Sequence, residues 1–200
     1  MGSDRRRNRV TPRLTPSNLR SEAVRSGQAP QLTGQALDLP AGSPLRALAA
    51  HSPALVVFLR SFGCTFCREA MADVAAARDD IRAAGAQVAF VHGGSEAEAD
   101  RWFAKYGLTD VTRISDPTLA HYHAFGLGRT HLQALVDPKI WTRGAVCALS
   151  HGFGAQTPTM MRQLPGIFVV QRDRVLAEYR HRSPSDRPDY LGLVQSVKPG

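Results

Sequence analysis

The chain alternates short, wholly apolar runs with longer stretches whose apolar residues recur every three or four positions. Ala54 to Leu59 (ALVVFL) contains no polar residue, the pattern of a strand covered on both faces. From Phe66 the period changes. Cys67, Ala70, Met71, Val74, Ala77, Ile81 and Ala84 share one helical face, Arg68, Asp73, Asp79, Asp80 and Arg82 take the other, and Gly85 supplies a stop. Ala86 to His92 predicts a second buried strand. Ser95 and Glu98 form a capping-box pattern ahead of a helix through Trp102, Phe103 and Tyr106, closed by Gly107. Val111 to Ser115 predicts a short strand, and Asp116-Pro117 an N-cap and first-turn proline for a helix over Thr118 to Phe125.

Residues 126–163 interrupt this alternation and read as an insertion. Within it Trp141, Ala145 and Leu149 repeat at i, i+4 and i+8, predicting a helix across Pro138 to Ser150, followed by a loop over His151 to Met160. Gly166 to Val170 and Val175 to Tyr179 predict two antiparallel strands, and Asp186 to Val197 a last helix beginning near Pro188. Gly34 to Leu48, broken by Pro and Gly, predicts an N-terminal extended segment or hairpin. A helix-crossed parallel half joined to a terminal hairpin and helix is an α/β layout. It predicts a thioredoxin-like fold over residues 31–200: a mixed central sheet flanked by helices, with an N-terminal extension and an insertion before the last two strands.

Composition adds little to this picture, but charge changes it. At 200 residues and 43% hydrophobic positions, one domain with a substantial core is expected. The formal charge of +8 suggests nucleic acid until its distribution is read: residues 1–30 hold seven arginines against Asp4 and Glu22, a net +5, which leaves +3 for the other 170 residues. Residues 1–30 read as a disordered basic tail, since they hold too few large apolar residues to offset ordering entropy. No run approaches the roughly 18 to 20 apolar residues of a membrane span, and the N-terminus lacks the apolar centre of a secretory signal, so the expected location is cytoplasmic.

The candidate chemistry lies in SFGCTFCRE (Ser61 to Glu69), where two of three cysteines stand three residues apart. The spacing admits a redox pair, half of a metal site, or inert core. Three cysteines are too few for a secreted disulfide scaffold. Cys64 falls at the predicted strand-to-helix turn, where free backbone N–H groups and the helix dipole favour a thiolate. Cys67, one turn on, can reach it, so Cys64 is the expected nucleophile and Cys67 the resolving thiol. Arg60 and Arg68 are near enough in sequence to add positive field. Zinc requires two more ligands; His121, His123 or Cys147 are the available donors, but no second pair has metal spacing. Cys147, among Ala145, Ala148 and Leu149, reads as a small core residue, and the other histidines as scattered surface or core positions.

Pro165 is the second informative residue. A thioredoxin-like sheet places a proline, usually cis, just before the strand facing the active cysteine, and LPGIFVV supplies one ahead of Gly166.

With these marks the chain resembles the peroxiredoxin-like AhpC/TSA redoxins, in particular the branch with prostamide/prostaglandin F synthase-like proteins and selenoprotein L. The resemblance rests on VVFLRSFGCTFCRE, SDPTLAHYHAFGL, PKIWTRGAVCAL and QLPGIFVVQRDRVLAEYRHRSPSDRP, and spans about residues 34–197. It implies a thiol oxidoreductase with no bound cofactor, regenerated by thioredoxin or a low-molecular-weight thiol. Ser61 stands where peroxiredoxins carry a threonine three before the cysteine, while Val57 replaces their proline. They place an arginine just before the strand GIFVV; here that place is Pro165, and Arg162 is the nearby substitute. Where thioredoxins bury an aspartate, this chain has Phe58.

The expected activity is therefore attack by Cys64 on a peroxide or disulfide, resolved by Cys67. Two other readings stay open: a redox-sensing or partner-binding module, and a prostaglandin-type endoperoxide reductase with Trp141, Met160 and Met161 walling an apolar pocket. The oligomeric state is not written in the sequence.

Overall fold

The structure, a computed structural model, describes residues 32–129, 138–156 and 158–197. The basic segment 1–30 and part of the insertion, 130–137, lie outside the described residues. Within the unit spanning Gln31–Gly200 the order is α1 (Pro44–Leu48), β1 (Ala54–Phe58), α2 (Thr65–Ala83), β2 (Gln87–His92), α3 (Glu96–Lys105) and β3 (Thr112–Ser115). There follow α4 (Ala120–Ala124), α5 (Pro138–His151), α6 (Pro158–Arg162), β4 (Gly166–Gln171), β5 (Arg174–Arg180) and α7 (Tyr190–Gln195).

One five-stranded sheet runs in the order β3-β2-β1-β4-β5. β1, β2 and β3 are parallel, and β4 and β5 join antiparallel, with Phe58 opposite Gly166 and Gly166 opposite Arg180. β1 is thus central, and its five residues are all buried. Leu55 and Val57 enter one core with Phe90, Phe103, Ile167 and Val169, beneath α2, α3 and α7. Ala54, Val56 and Phe58 enter the other with Tyr122, Phe125 and Phe168. That two-sided burial explains the unbroken apolar run. Phe58 lies 5.0, 4.8 and 5.7 Å from the Tyr122, Phe125 and Phe168 ring centroids, tilted or edge-on. Each such pair contributes about 0.5–1.5 kcal/mol beyond the area it buries.

Several local expectations shift. The N-terminal segment forms no hairpin; it pairs with β5 through single bridges, Thr33 to Val175 and Ala36 to Arg174, before the short α1. The predicted helix over Thr118 to Phe125 starts only at Ala120, because Leu119 is left-handed at φ 61°; the Asp116 carboxylate caps it from four residues back, accepting from the N–H of Ala120 and His121 at 2.9 and 2.8 Å. The end of the predicted 151–160 loop is helical as α6, and α7 begins at Tyr190, capped by Asp189, rather than near Pro188. Arg68, read as part of the polar helical face, is buried.

The insertion is an excursion closed at its base. Gln163 is 1% exposed and its amide donates to the carbonyls of Leu127 and Gly128 at 3.3 and 3.1 Å, while the Leu164 N–H donates to Gly128. Its helix α5 forms as expected, but the Trp141–Leu149 stripe faces outward: Trp141 is 68% and Leu149 89% exposed. Cys147, on the opposite side, is buried. Among the described residues no helix is long and apolar enough to cross a membrane.

Candidate active site

Between β1 and α2, residues 59–64 make a tight turn that places Cys64 at the N-cap of a 19-residue helix, with no side-chain cap on that helix. The positive end of the helix therefore bears on the sulfur, with the Phe66 and Cys67 N–H groups nearest to it. Cys64 and Cys67 are 3% and 4% exposed, and all three cysteines are free thiols. The S–H of Cys67 donates to Cys64 and is the chief stabiliser of its thiolate. Burial opposes ionisation, the Arg60 guanidinium favours it, and the N–H groups of Cys67 and Phe66 add to it, bringing the Cys64 pKa down to about 6. Cys67 moves the other way: as the donor to Cys64, and buried, its thiol is held well above the usual range. The two cysteines thus divide into a thiolate and a thiol at neutral pH.

The surroundings hold this arrangement in place. The backbone N–H of Arg60 donates to the Cys67 sulfur at 3.2 Å, and the Arg60 side chain, 5% exposed, donates to the Met161 carbonyl. Arg68 ties three elements together: Nε donates to the Phe62 carbonyl at 2.6 Å, Nη1 to the His151 carbonyl at 3.1 Å, and its guanidinium lies 3.9 Å from the Trp102 ring centroid. The backbone of the 152–156 loop closes over Gly63, whose carbonyl accepts from the Gly154 N–H at 2.9 Å. A side chain at Gly63 would meet the Ala155 carbonyl oxygen at 2.0 Å, so glycine is required there.

Of the residues singled out from the sequence, Cys64, Cys67 and Arg60 come together, Pro165 lines the same cavity as Cys67, and the buried Ser61 hydroxyl has no hydrogen-bond partner. Pro165 is buried ahead of β4, but no described peptide bond is cis, so it shapes the cavity as a trans proline. Arg162 is exposed and does not line that cavity. Arg68 is committed to backbone carbonyls and Trp102 rather than turned toward substrate. Trp141 and Met161 are exposed, whereas Met160 is buried in the core cluster on the Tyr122 side of the sheet, so these three do not wall a common chamber.

His181 was not legible as a site residue. It is 9% exposed and lines the cavity beside Cys67, Pro165 and Tyr190, yet neither ring nitrogen has a hydrogen-bond partner. The antiparallel register carries the signal: Arg180 pairs with Gly166, so the next residue lies alongside Pro165.

The metal readings separate from the thiol pair. His121 bonds to Ser43 at 2.9 Å and faces Asp116, on the other side of the sheet. Glu69, Cys147 and His151 bring their ligand atoms within 4.8 Å of one another. However, Arg143 holds the Glu69 carboxylate at 2.7 Å, which places a fixed cation against that trio, and the Cys147 thiol donates to the Thr65 carbonyl at 3.7 Å.

A thioredoxin-like sheet with a lowered-pKa cysteine at the start of its long helix defines a thiol-dependent oxidoreductase. The model of the AhpC/TSA family matches residues 27–179, and the chain belongs to that family, a peroxiredoxin-like enzyme. Among solved structures it is similar to peroxidoxin BcpB from Mycobacterium tuberculosis, at 15% identity and a TM-score of 0.59, covering 85% of this chain and 100% of that one. Reduced Prx3 from Vibrio vulnificus in complex with hydrogen peroxide matches at 14% identity and TM-score 0.52, over 81% and 90% of the two chains. Peroxiredoxin Q from Xanthomonas campestris matches at 18% and 0.52, over 84% and 90%. At these identities the likeness is one of fold. No curated protein matches the sequence significantly.

Proposed function

We propose that the protein reduces a small hydroperoxide with Cys64 as nucleophile and Cys67 as resolving thiol. The observation that carries this is the buried free-thiol pair at the start of α2, Cys64 at the N-cap and Cys67 one turn on; the Cys67 S–H, Arg60 and two N–H groups all favour the Cys64 thiolate. The thiolate attacks one peroxide oxygen; the O–O bond breaks, Cys64 becomes a sulfenic acid, and the other oxygen leaves as an alkoxide or hydroxide that takes a proton. Cys67 then displaces water to form an intramolecular disulfide. An external reductant, a thioredoxin-type protein or a low-molecular-weight thiol, returns the pair to dithiol, which suits a reducing compartment such as the cytoplasm. Exposure of only 3% at Cys64 favours a small substrate over an apolar endoperoxide.

Mass spectrometry after mild treatment with hydrogen peroxide tests this: a Cys64–Cys67 disulfide is expected, with Cys147 free, and no oxidation in Cys64→Ser. Peroxide consumption at the same rate by Cys64→Ser would end the proposal.

A second reading, a redox-controlled partner-binding module, draws on one feature. Trp141, Val146, Leu149 and Phe153 are all more than two-thirds exposed on the helix and loop that cover the thiol turn. Stoichiometric oxidation without turnover in the presence of thioredoxin would favour it.

A further inference from the structure

The cavity beside the thiols holds a group that the reaction above does not use. His181 follows β5 and is 9% exposed, and both of its ring nitrogens lack a hydrogen-bond partner. A buried polar group left unpaired is destabilising, so stability does not account for its place there. The cavity it lines with Cys67, Phe66, Pro165 and Tyr190, at about 10 Å³, is the size of a single water molecule. The thiol of Cys67 must lose its proton before the resolving disulfide can form, and it is buried away from bulk solvent.

Resting on the thiol reading above, we propose that His181 is the proton acceptor for Cys67 in the resolving step. As the Cys67 sulfur attacks the Cys64 sulfenic acid, its proton passes to the imidazole, directly or across one water. The S–S bond forms with the Cys67 electron pair while the S–O bond breaks. The departing hydroxide then takes up the proton from the imidazolium and leaves as water. Cys64 sulfur accepts the electron pair, no outside oxidant or reductant enters this step, and His181 returns to its neutral form.

The surroundings suit the role. The groups that bear on the imidazole are Arg60 from the thiol turn, Asp186 from the segment after β5, the Tyr179 ring at 5.4 Å and Tyr190 of α7. Burial foremost, opposed by the Asp186 charge and aided by Arg60, holds the His181 pKa down to about 4, so the ring is neutral and able to accept at physiological pH. A base so weak moves the proton only in concert with S–S bond formation. Timing favours that step: the Cys67 pKa is raised first of all because its S–H donates to the Cys64 thiolate, and that thiolate is gone once Cys64 is a sulfenic acid.

The experiment follows both steps in one protein. Reduced wild type, His181→Gln and His181→Asn are mixed with hydrogen peroxide; sulfenic acid is trapped with dimedone and disulfide is read by quenched mass spectrometry, from pH 5.5 to 8.5. The expected result is Cys64 oxidation at the wild-type rate, with disulfide formation slowed about 100-fold at pH 7 and accumulated sulfenic acid. The rate in both variants should rise about tenfold per pH unit, as hydroxide replaces the lost base, while wild type stays nearly flat. Disulfide formation in the variants at the wild-type rate, or slowed with a pH profile parallel to wild type, overturns the role of His181. A wild type that forms no Cys64–Cys67 disulfide overturns the thiol reading itself, and the inference with it.

Discussion

The backbone N–H of Arg60 and the sulfur of Cys67 are 3.2 Å apart, so the residue that ends the approach from β1 also orients the second thiol of the pair. The same residue's guanidinium lowers the pKa of the first thiol. One arginine therefore serves both sulfurs, through its backbone for one and its charge for the other.

Removing that charge has a definite consequence. Arg60→Met keeps the backbone N–H and leaves Cys64 without its cationic neighbour, so its pKa rises from about 6 toward the ordinary value. Peroxide reduction at pH 6.5 is expected to fall several-fold, with most of the loss recovered by pH 9. Stopped-flow rates across pH measure it, and an unchanged profile would show that Arg60 has no electrostatic role.

The thiolate also links stability to pH. Cys64 titrates near 9 in the unfolded chain and about 6 in the folded one, so above pH 6 the unfolded state binds more protons and folding gains stability as pH rises. The contribution is full above about 9 and is lost as pH falls through about 6. Urea unfolding of the reduced protein should show this rise between pH 6 and 8.5, and Cys64→Ser should lack it. The ultraviolet absorbance of the thiolate gives the midpoint independently.

At Gly63 a methyl group meets the Ala155 carbonyl oxygen at 2.0 Å, and the 152–156 loop has to move. Gly63→Ala is expected to cost about 1–3 kcal/mol, the usual range for overpacking. It should also raise the rate at which iodoacetamide alkylates Cys64. Loss of stability with unaltered alkylation would mean the loop does not shield the thiol.

The hydroxyl of Tyr122 donates to the carbonyls of Leu59 and Val91, the first of these at the start of the thiol turn. Tyr122→Phe takes this donor from the buried Leu59 carbonyl, while the Val91 carbonyl still accepts from the Leu59 N–H at 2.9 Å, and should destabilise by about 1–3 kcal/mol. Phe58→Ala, which empties the aromatic cluster next to it, should cost about 3–5 kcal/mol. Chemical denaturation separates the two, and a Tyr122→Phe protein as stable as wild type would place the hydroxyl outside the fold's stabilising contacts.

How much of this was legible beforehand follows from range. Hydrophobic period and caps are local properties, so Ala54–Phe58 as a central strand, the helix behind Cys67 and the Ser95–Glu98 capping box appear in the sequence as they do in space. Cys64 at a helix start, and Cys67 one turn on, are likewise local facts, and the chemistry class follows from them. Long-range pairing was not accessible. The apolar repeat of Trp141 and Leu149 announces a helix but not which way it faces, since that depends on where the insertion is pinned at Gln163. Arg68 looks like a solvated charge until the carbonyls of Phe62 and His151 are brought to it. Arg162 and Arg60 are equal candidates in a one-dimensional reading; only the fold exposes one and buries the other beside the thiols. His181 stands 114 residues from Cys67, and no pattern over a few positions could join them. Their meeting was decided by the antiparallel register of β4 and β5, which is set by side-chain packing across the whole sheet.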